Sequence, residues 1–156
     1  MVASVYIDNP LLIDGFKFDL RVYVALTSIN PLRIYMYEEG LARFATHKYQ
    51  AHATNSKCYQ FTHLTNYSLN KYSVAFQNNT DAAKDDEGSK QSMSALRKRL
   101  KKMGHDDNLL FSKIEDLIIK TILAGEHVIN NATEMFCPFP KYNCFELFGF
   151  DVLIDD

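Results

Sequence analysis

Asp14-Gly15-Phe16-Lys17-Phe18-Asp19-Leu20-Arg21-Val22-Tyr23-Val24-Ala25-Leu26 is the stretch whose reading decides the fold. Apolar and polar residues alternate here with period two. A half-buried strand has this pattern, because its successive side chains point to opposite faces. Phe16, Phe18, Leu20, Val22, Val24 and Leu26 share one face, and Lys17, Asp19, Arg21 and Tyr23 share the other. A row of charged groups two residues apart has two readings. It is a solvated outer face with cross-strand ion pairs. Alternatively it is the wall of a polar cleft, where Lys and Arg meet phosphate or carboxylate oxygens and Asp meets a hydroxyl or an amine.

Working outward, Ser4-Val5-Tyr6-Ile7 reads as a short apolar strand turned by Asp8-Asn9-Pro10, since Asn-Pro favours turn initiation. Leu11-Leu12-Ile13 leads into a second turn at Asp14-Gly15. On the other side, Ser28-Ile29-Asn30-Pro31 breaks the organising strand and Leu32 to Tyr37 alternates again. Glu38-Glu39-Gly40 is a hairpin signal, and Leu41 to Ala45 then returns as a further strand carrying Arg43. Strands joined by short turns make an antiparallel meander.

His47 to Gln60 is polar and irregular, and Phe61 to Lys71 is short and dense in hydroxyls and amides. Periodicity is lost from Tyr72 to Lys90, which reads as a mobile insertion centred on Gln77 to Ser89. Ser92 to Met103 is helical, with Met93, Leu96, Leu100 and Met103 as its apolar stripe and Gly104 where a stop belongs. A longer helix spans Asn108 to about Thr133, on Ile114, Leu117, Ile118, Thr121, Ile122, Val128 and Ile129. Pro138 and Pro140 end that region, and Cys144 to Ile154 is the last strand. Asp151 shares a face there with Leu147, Gly149 and Leu153, and Gly149 removes a side chain beside it.

The 156 residues suffice for one domain with a real core. A 47% hydrophobic and 23% charged composition is ordinary for a globular chain, and 13% aromatics is rich. A net charge of −2 gives no strong pull toward nucleic acid or membrane, so neither is expected as a partner. No apolar run approaches the roughly 20 residues of a membrane helix. Cys58, Cys137 and Cys144 have no paired spacing, which suits free thiols in a reducing compartment. His47, His52, Cys58 and His63 lack the close pair a zinc site needs and read as scattered loop residues. The basic run Arg97 to Lys102 reads as a solvated helix face, with contact to an acidic partner as the alternative. There is no Gly-rich phosphate loop, nucleophile elbow or paired catalytic carboxylate set.

Taken together the residues resemble a family. Tyr6-Ile7-Asp8-Asn9-Pro10-Leu11-Leu12-Ile13, Lys17 to Val24, Pro31 to Tyr35, Gly40 to Ala45, His63 to Lys71 and Phe145 to Leu153 look, in that order, like the tubulin tyrosine ligase-like family. The ending Tyr67-Ser68-Leu69-Asn70-Lys71 is similar to its polyglutamylase branch. The resemblance implies an α+β fold, the C-terminal part of an ATP-grasp domain, with an antiparallel sheet and packed helices. It implies an enzyme that uses ATP and magnesium (Mg2+) to activate a γ-carboxylate in the acidic C-terminal tail of tubulin as an acylphosphate, which free glutamate then attacks. Tubulin, microtubules and free glutamate are the implied partners. The implied location is the cytoplasm and cytoskeleton, with the cilium or basal body as a candidate.

Residue by residue, the resemblance makes Ser4, Val5, Tyr6 and Ile7 an adenine hinge, although the family usually has a basic residue at the place of Val5. Lys17 and Asp19 would contact ATP, and Thr65 and Asn66 would line the nucleotide site. Arg43, Tyr67, Ser68 and Lys71 would hold the incoming glutamate, Asp151 would bind magnesium, and Arg21 would face the acceptor tail as a catalytic residue. The family places a Glu-x-Asn pair on the strand after Asp156 and a further lobe before Met1, so the chain is expected to be a fragment, inactive by itself. The alternatives are a non-catalytic tubulin-binding module and a ligase of another ATP-grasp family.

Overall fold

The computed structural model describes residues 3, 5–51, 59–79, 85–137 and 144–156. The strands are β1 (Leu12–Ile13), β2 (Phe16–Ile29), β3 (Leu32–Phe44), β4 (Lys90–Ser92) and β5 (Glu146–Val152). The helices are α1 (Tyr59–His63), α2 (Tyr67–Asn70), α3 (Met93–Lys102) and α4 (Asp107–Phe136). The strands form one sheet in the order β1-β2-β3-β4, with β5 also paired to β2. This is the α+β architecture of an antiparallel sheet with helices, consistent with part of an ATP-grasp fold. No described helix is long and apolar enough to cross a membrane.

The chain divides into two compact units. The first holds Met1–Arg21, Leu41–Leu96 and Asp151–Asp156. In it β1 runs antiparallel to the start of β2, with Leu12 opposite Lys17 and Ile13 opposite Phe16. Asp14 and Gly15 close that hairpin with φ of 53° and 83°. Positive φ at both central residues matches the right-handed twist of the flanking strands, and Asp-Gly adopts it at least cost. β4 pairs antiparallel with the end of β3, setting Lys90 opposite Arg43. Ile13, Phe18, Leu20, Ala42, Phe44, Met93 and Leu96 are buried, and the Phe18 and Phe44 rings stack at 5.5 Å.

The second unit holds Val22–Gly40 and Arg97–Phe150. The rest of β2 and β3 form a hairpin across Asn30-Pro31 here. In α4, Phe111, Ile114, Ile118 and Ile122 are buried, a stripe at steps of three and four. The α3 terminus is a Schellman motif: Gly104 takes φ 91°, its N–H donates to Lys101, and the His105 N–H donates to Leu100. Asp106 caps α4 by accepting from the Leu109 N–H at 3.0 Å. The buried Asp107 carboxylate accepts from Arg97 Nε at 2.7 Å and faces Lys101 Nζ at 3.3 Å. Part of the basic run is therefore tied to α4 and does not simply face solvent.

Five expectations are corrected. Ser4 lies outside the described residues, and Val5, Tyr6 and Ile7 form no strand; Val5 is 94% exposed, and the segment is held by the Tyr6 hydroxyl, with no ladder. Glu38-Glu39-Gly40 is no turn, because β3 runs unbroken through it and Gly40 is not among the glycines with positive φ. The ladder to β2 outweighs a local turn signal there, and the alternation only changes phase, with Tyr37 and Glu38 both exposed. On α4, Leu117, Val128 and Ile129 are exposed: Leu117 is one position off the buried stripe, and the other two lie beyond its last buried turn. Leu147 and Leu153 are exposed as well, so Asp151 stands in an open row and not between covered apolar neighbours. The end of the expected insertion is ordered: Ser89 N–H donates to the Gln77 carbonyl at 3.0 Å and Lys90 begins β4, while residues 80–84 lie outside the described residues. Cys58, His52, Pro138 and Pro140 also lie outside them. Cys137 and Cys144 are free, and a hydrogen bond from one to the other pushes the Cys144 thiol above its usual range.

The Asp107 cluster gives a pH-dependent prediction. The hydrogen bond from Arg97, aided by Lys101, outweighs burial and holds the Asp107 carboxyl below the ordinary 3.8. A carboxyl depressed by folding stabilises fully above its unfolded value and loses that contribution as pH falls through its folded value. Asp107→Asn is therefore expected to lower the melting temperature at pH 7, with the gap to wild type closing as the pH falls below 3.8. Scanning calorimetry across that range checks it; a gap independent of pH would refute it.

Candidate active site

The first unit carries nearly all the polar residues singled out in the sequence. Lys17 and Asp19 are only 3% and 4% exposed. The solvated-face reading of their row fails, because a fully buried charge needs a partner. Asp19 finds it in Arg43 of β3, itself 8% exposed: Nε donates at 3.0 Å and a terminal nitrogen donates to the second carboxylate oxygen, a fork-to-fork pair. The same terminal nitrogen lies 2.8 Å from Asp151 Oδ1. Arg21 completes the set, with Nε 2.7 Å and its terminal nitrogen 3.4 Å from Asp151. Two guanidiniums and two carboxylates thus neutralise one another. The hydrogen bond that Arg43 donates to Asp19 raises the guanidinium further above its usual range, so it stays charged. Partial burial works to raise the Asp151 carboxyl, but hydrogen bonds from Arg21 and Arg43 outweigh it and hold the group below its usual range.

Lys17 is buried in a different way. Its ammonium donates to the Tyr6 hydroxyl at 2.9 Å and sits 4.4 Å from the Tyr6 ring centroid and 5.7 Å from that of Tyr49. The Tyr6 hydroxyl meets His63 Nδ1 at 2.8 Å. Burial pushes the Lys17 ammonium below its usual range, with Tyr49 and Asp19 pulling the other way. Burial also drives Tyr49 up to about 12.

Asn70, which the sequence did not single out as more than a loop residue, ties the hydroxyl-amide loop together. It is buried, accepts from the Thr46 N–H at 3.1 Å and donates to the Leu64 and Asn66 carbonyls at 2.8 and 3.1 Å. This fastens the α2 loop just after the end of β3. Thr65 is buried, while Asn66, Tyr67, Ser68 and Lys71 are exposed. The Lys71 ammonium lies over the Tyr67 and Tyr72 rings, at 5.9 and 4.9 Å. A residue the sequence reading missed joins them: Lys90 stands opposite Arg43 in the β3–β4 ladder and sets its ammonium 3.5 Å from the Tyr67 ring centroid. Its only signal in sequence was a lone Lys at the end of the presumed insertion. His47 lies against Thr46 and Phe61, away from these pairings. Among the described residues no group of three His, Cys, Asp or Glu could hold a metal.

A buried cluster of Lys and Arg with hydroxyls and carboxylates, on an antiparallel sheet, fits a site for phosphate and carboxylate groups. The family model described as the tubulin-tyrosine ligase family matches residues 1–156, and the chain belongs to that family. Over 155 residues it is 54% identical to tubulin polyglutamylase TTLL5 of Homo sapiens, covering 99% of this chain and 12% of that protein. It is 46% identical over 162 residues to tubulin polyglutamylase TTLL13 of Mus musculus, covering 99% of this chain and 19% of that relative. To tubulin monoglutamylase TTLL4 of Mus musculus it is 42% identical over 156 residues, covering 100% of the chain and 13% of the relative. The chain thus spans well under a quarter of each relative's length.

Truncating one member of the buried pair strands the other. Arg43→Ala is expected to destabilise the chain by about 3–5 kcal/mol, because Asp19 keeps a buried charge with no guanidinium. Asp19→Ala combined with Arg43→Ala should lose less than the sum of the single losses, by about 0.5–3 kcal/mol. Urea unfolding of the single and double variants measures this coupling, and simple additivity would show that the pair is not a unit.

Proposed function

We propose that the protein carrying this chain is a tubulin polyglutamylase: an ATP-dependent ligase that adds glutamate to the γ-carboxylate of glutamates in tubulin tails. The observation that carries this reading is the Asp19–Arg43–Asp151–Arg21 cluster, with its Asp19–Arg43 pair buried, close in sequence to the buried Lys17, in a chain of this family. Activation needs a cation at the terminal phosphates, and Lys17 supplies one whose ammonium has no ion pair among the described residues. The acceptor carboxylate oxygen attacks the γ-phosphorus, ADP leaves, and an acylphosphate forms. The glutamate amine then attacks the acyl carbon, gives up a proton and expels phosphate. Stabilising such charge is mostly a matter of positioned donors.

Glutamate carries two carboxylates, so its seat calls for cations and hydroxyls. Arg43, Lys90, Lys71, Tyr67 and Ser68 form the candidate set, with Lys90 added to the sequence-derived residues by its place opposite Arg43. Arg21, half-buried and bound to Asp151, is the candidate for meeting the acceptor carboxylate. Thr65 and Asn66 line the nucleotide side, with the backbone of Val5, Tyr6 and Ile7 as the adenine edge; Ser4 lies outside the described residues.

The donor set suits magnesium in a limited way. The Asp151 side chain is 47% exposed, and among the described residues its second oxygen carries only the long 3.4 Å contact from Arg21, which leaves an edge for one metal bond. Magnesium takes one or two carboxylates, with phosphates and waters filling the rest. When bound, it would neutralise charge on the terminal phosphates. The cytoplasm and cytoskeleton, with tubulin and microtubules as partners, follow from this reading.

The test is glutamate incorporation into tubulin-tail peptides by the full-length protein that carries this chain, with ATP and magnesium. Arg43→Lys is expected to raise KM for glutamate at least tenfold, because Lys cannot offer the bidentate fork, while KM for ATP stays within about twofold. An equal rise for both substrates would make Arg43 structural. No incorporation by well-folded wild type, with tubulin still bound, would favour the non-catalytic binding module.

A further inference from the structure

The Lys17 ammonium ends a one-way hydrogen-bond chain that runs away from the charged cluster, into a wall of rings. As an ammonium it can only donate, so the Tyr6 oxygen accepts at 2.9 Å. The Tyr6 O–H is then free to donate to His63 Nδ1 at 2.8 Å in the neutral tautomer that carries its proton on Nε2. The surroundings favour a neutral imidazole. Burial, then the nearby Lys17 charge, push His63 below its usual range, with the Gln50 backbone acting weakly the other way. The imidazole is also held in place: its centroid is 4.4 Å from that of Tyr59, 5.1 Å from Tyr49 in an edge contact, and 6.0 Å from Tyr6. His63 is only 4% exposed, and its Nε2 makes no hydrogen bond among the described residues.

We infer that Tyr6 and His63 are positioning residues for Lys17: His63 orients the Tyr6 hydroxyl, and the hydroxyl holds the ammonium where a phosphate is to meet it. The link to ATP rests on the reading of Lys17 proposed above; the anchoring itself rests only on the geometry. Lys17 depends on neutral partners where Arg43 has carboxylates. An ammonium held by a hydroxyl and a ring face keeps its full charge for an anion, while Arg43 gives up two existing ion pairs to meet one. Freed of its anchor, the flexible Lys17 stem would sample other rotamers, and phosphate binding would have to order it again.

The experiment compares Tyr6→Phe, His63→Leu, His63→Asn and the Tyr6→Phe/His63→Leu double variant in the full-length protein. The first measurement needs no nucleotide: trace acetylation of lysines with acetic anhydride, read by mass spectrometry, with exposed Lys120 as the internal reference. Tyr6→Phe keeps the ring and removes only the hydroxyl, and its circular dichroism and melting temperature are compared with wild type so that a loss of folding is recognised before labelling is read. Lys17 labelling is expected to rise at least threefold in Tyr6→Phe and His63→Leu, with Lys120 unchanged, and the double variant should match the worse single. His63→Asn, whose amide oxygen can accept near the place of Nδ1, should stay within twofold of wild type. ATP affinity, measured with a fluorescent analogue, is expected to fall five- to tenfold in the same two variants, with KM for glutamate within twofold. Unchanged Lys17 labelling, additive effects in the double variant, or a freed Lys17 with unchanged ATP affinity would each overturn the inference. Wild type that binds no ATP overturns the nucleotide reading instead, and the labelling pattern still decides whether Tyr6 and His63 anchor Lys17.

Discussion

The first unit depends on one guanidinium. Arg43 is buried on β3, and it stays there only because Asp19 of β2 and Asp151 of β5 both present carboxylates to it. Desolvating one such ion costs several kcal/mol, which only close, multiple hydrogen bonds offset. The constraint therefore extends through the sheet. β2 must keep Asp19 facing Arg43, and β5 must pair with β2 so that Asp151 reaches the same point. Arg21 then balances the second carboxylate, so that the cluster of four is neutral.

Two ways of burying a charge stand two positions apart in sequence. Asp19 takes an ion pair with Arg43, and Lys17 takes a phenol and ring faces. The consequences for proton affinity are opposite, as the surroundings dictate: the carboxylate hydrogen bond strengthens the hold of Arg43 on its protons, and burial weakens that of Lys17. A site for phosphoryl and acyl transfer can use both kinds, one cation in a fixed frame and one poised for an incoming anion. Asn70 plays the corresponding part for the α2 loop, replacing absent regular structure with hydrogen bonds to Thr46, Leu64 and Asn66.

Local signals settled where their cause was local. The alternation of β2, the Met93, Leu96 and Leu100 stripe of α3 with its stop at Gly104, and the Asp14-Gly15 turn follow from side-chain period and backbone preference and stand in the structure. Met103, expected on that stripe, lies past the helix and is exposed. The hairpin expected at Glu38-Glu39-Gly40 did not form, because ladder bonds along the whole of β3 outweigh one glycine and two acidic residues. Lys90 was hidden for the same reason: a strand of three residues has no periodicity of its own, and only pairing with Arg43 reveals it.

From the sequence alone follow the strand with its charged row, the family resemblance and the residue types that suit phosphate and carboxylate. Period and composition are properties of neighbouring residues, so they can be read along the chain. Which charges pair was decided only by tertiary structure. Asp19 and Arg43 are 24 positions apart and Arg21 and Asp151 are 130 apart, and the Lys17–Tyr6–His63 chain spans 57. Alternation places Lys17, Asp19 and Arg21 on one face and treats them alike. Burial separates them, because each desolvated charge must find a partner and the fold offers each a different one.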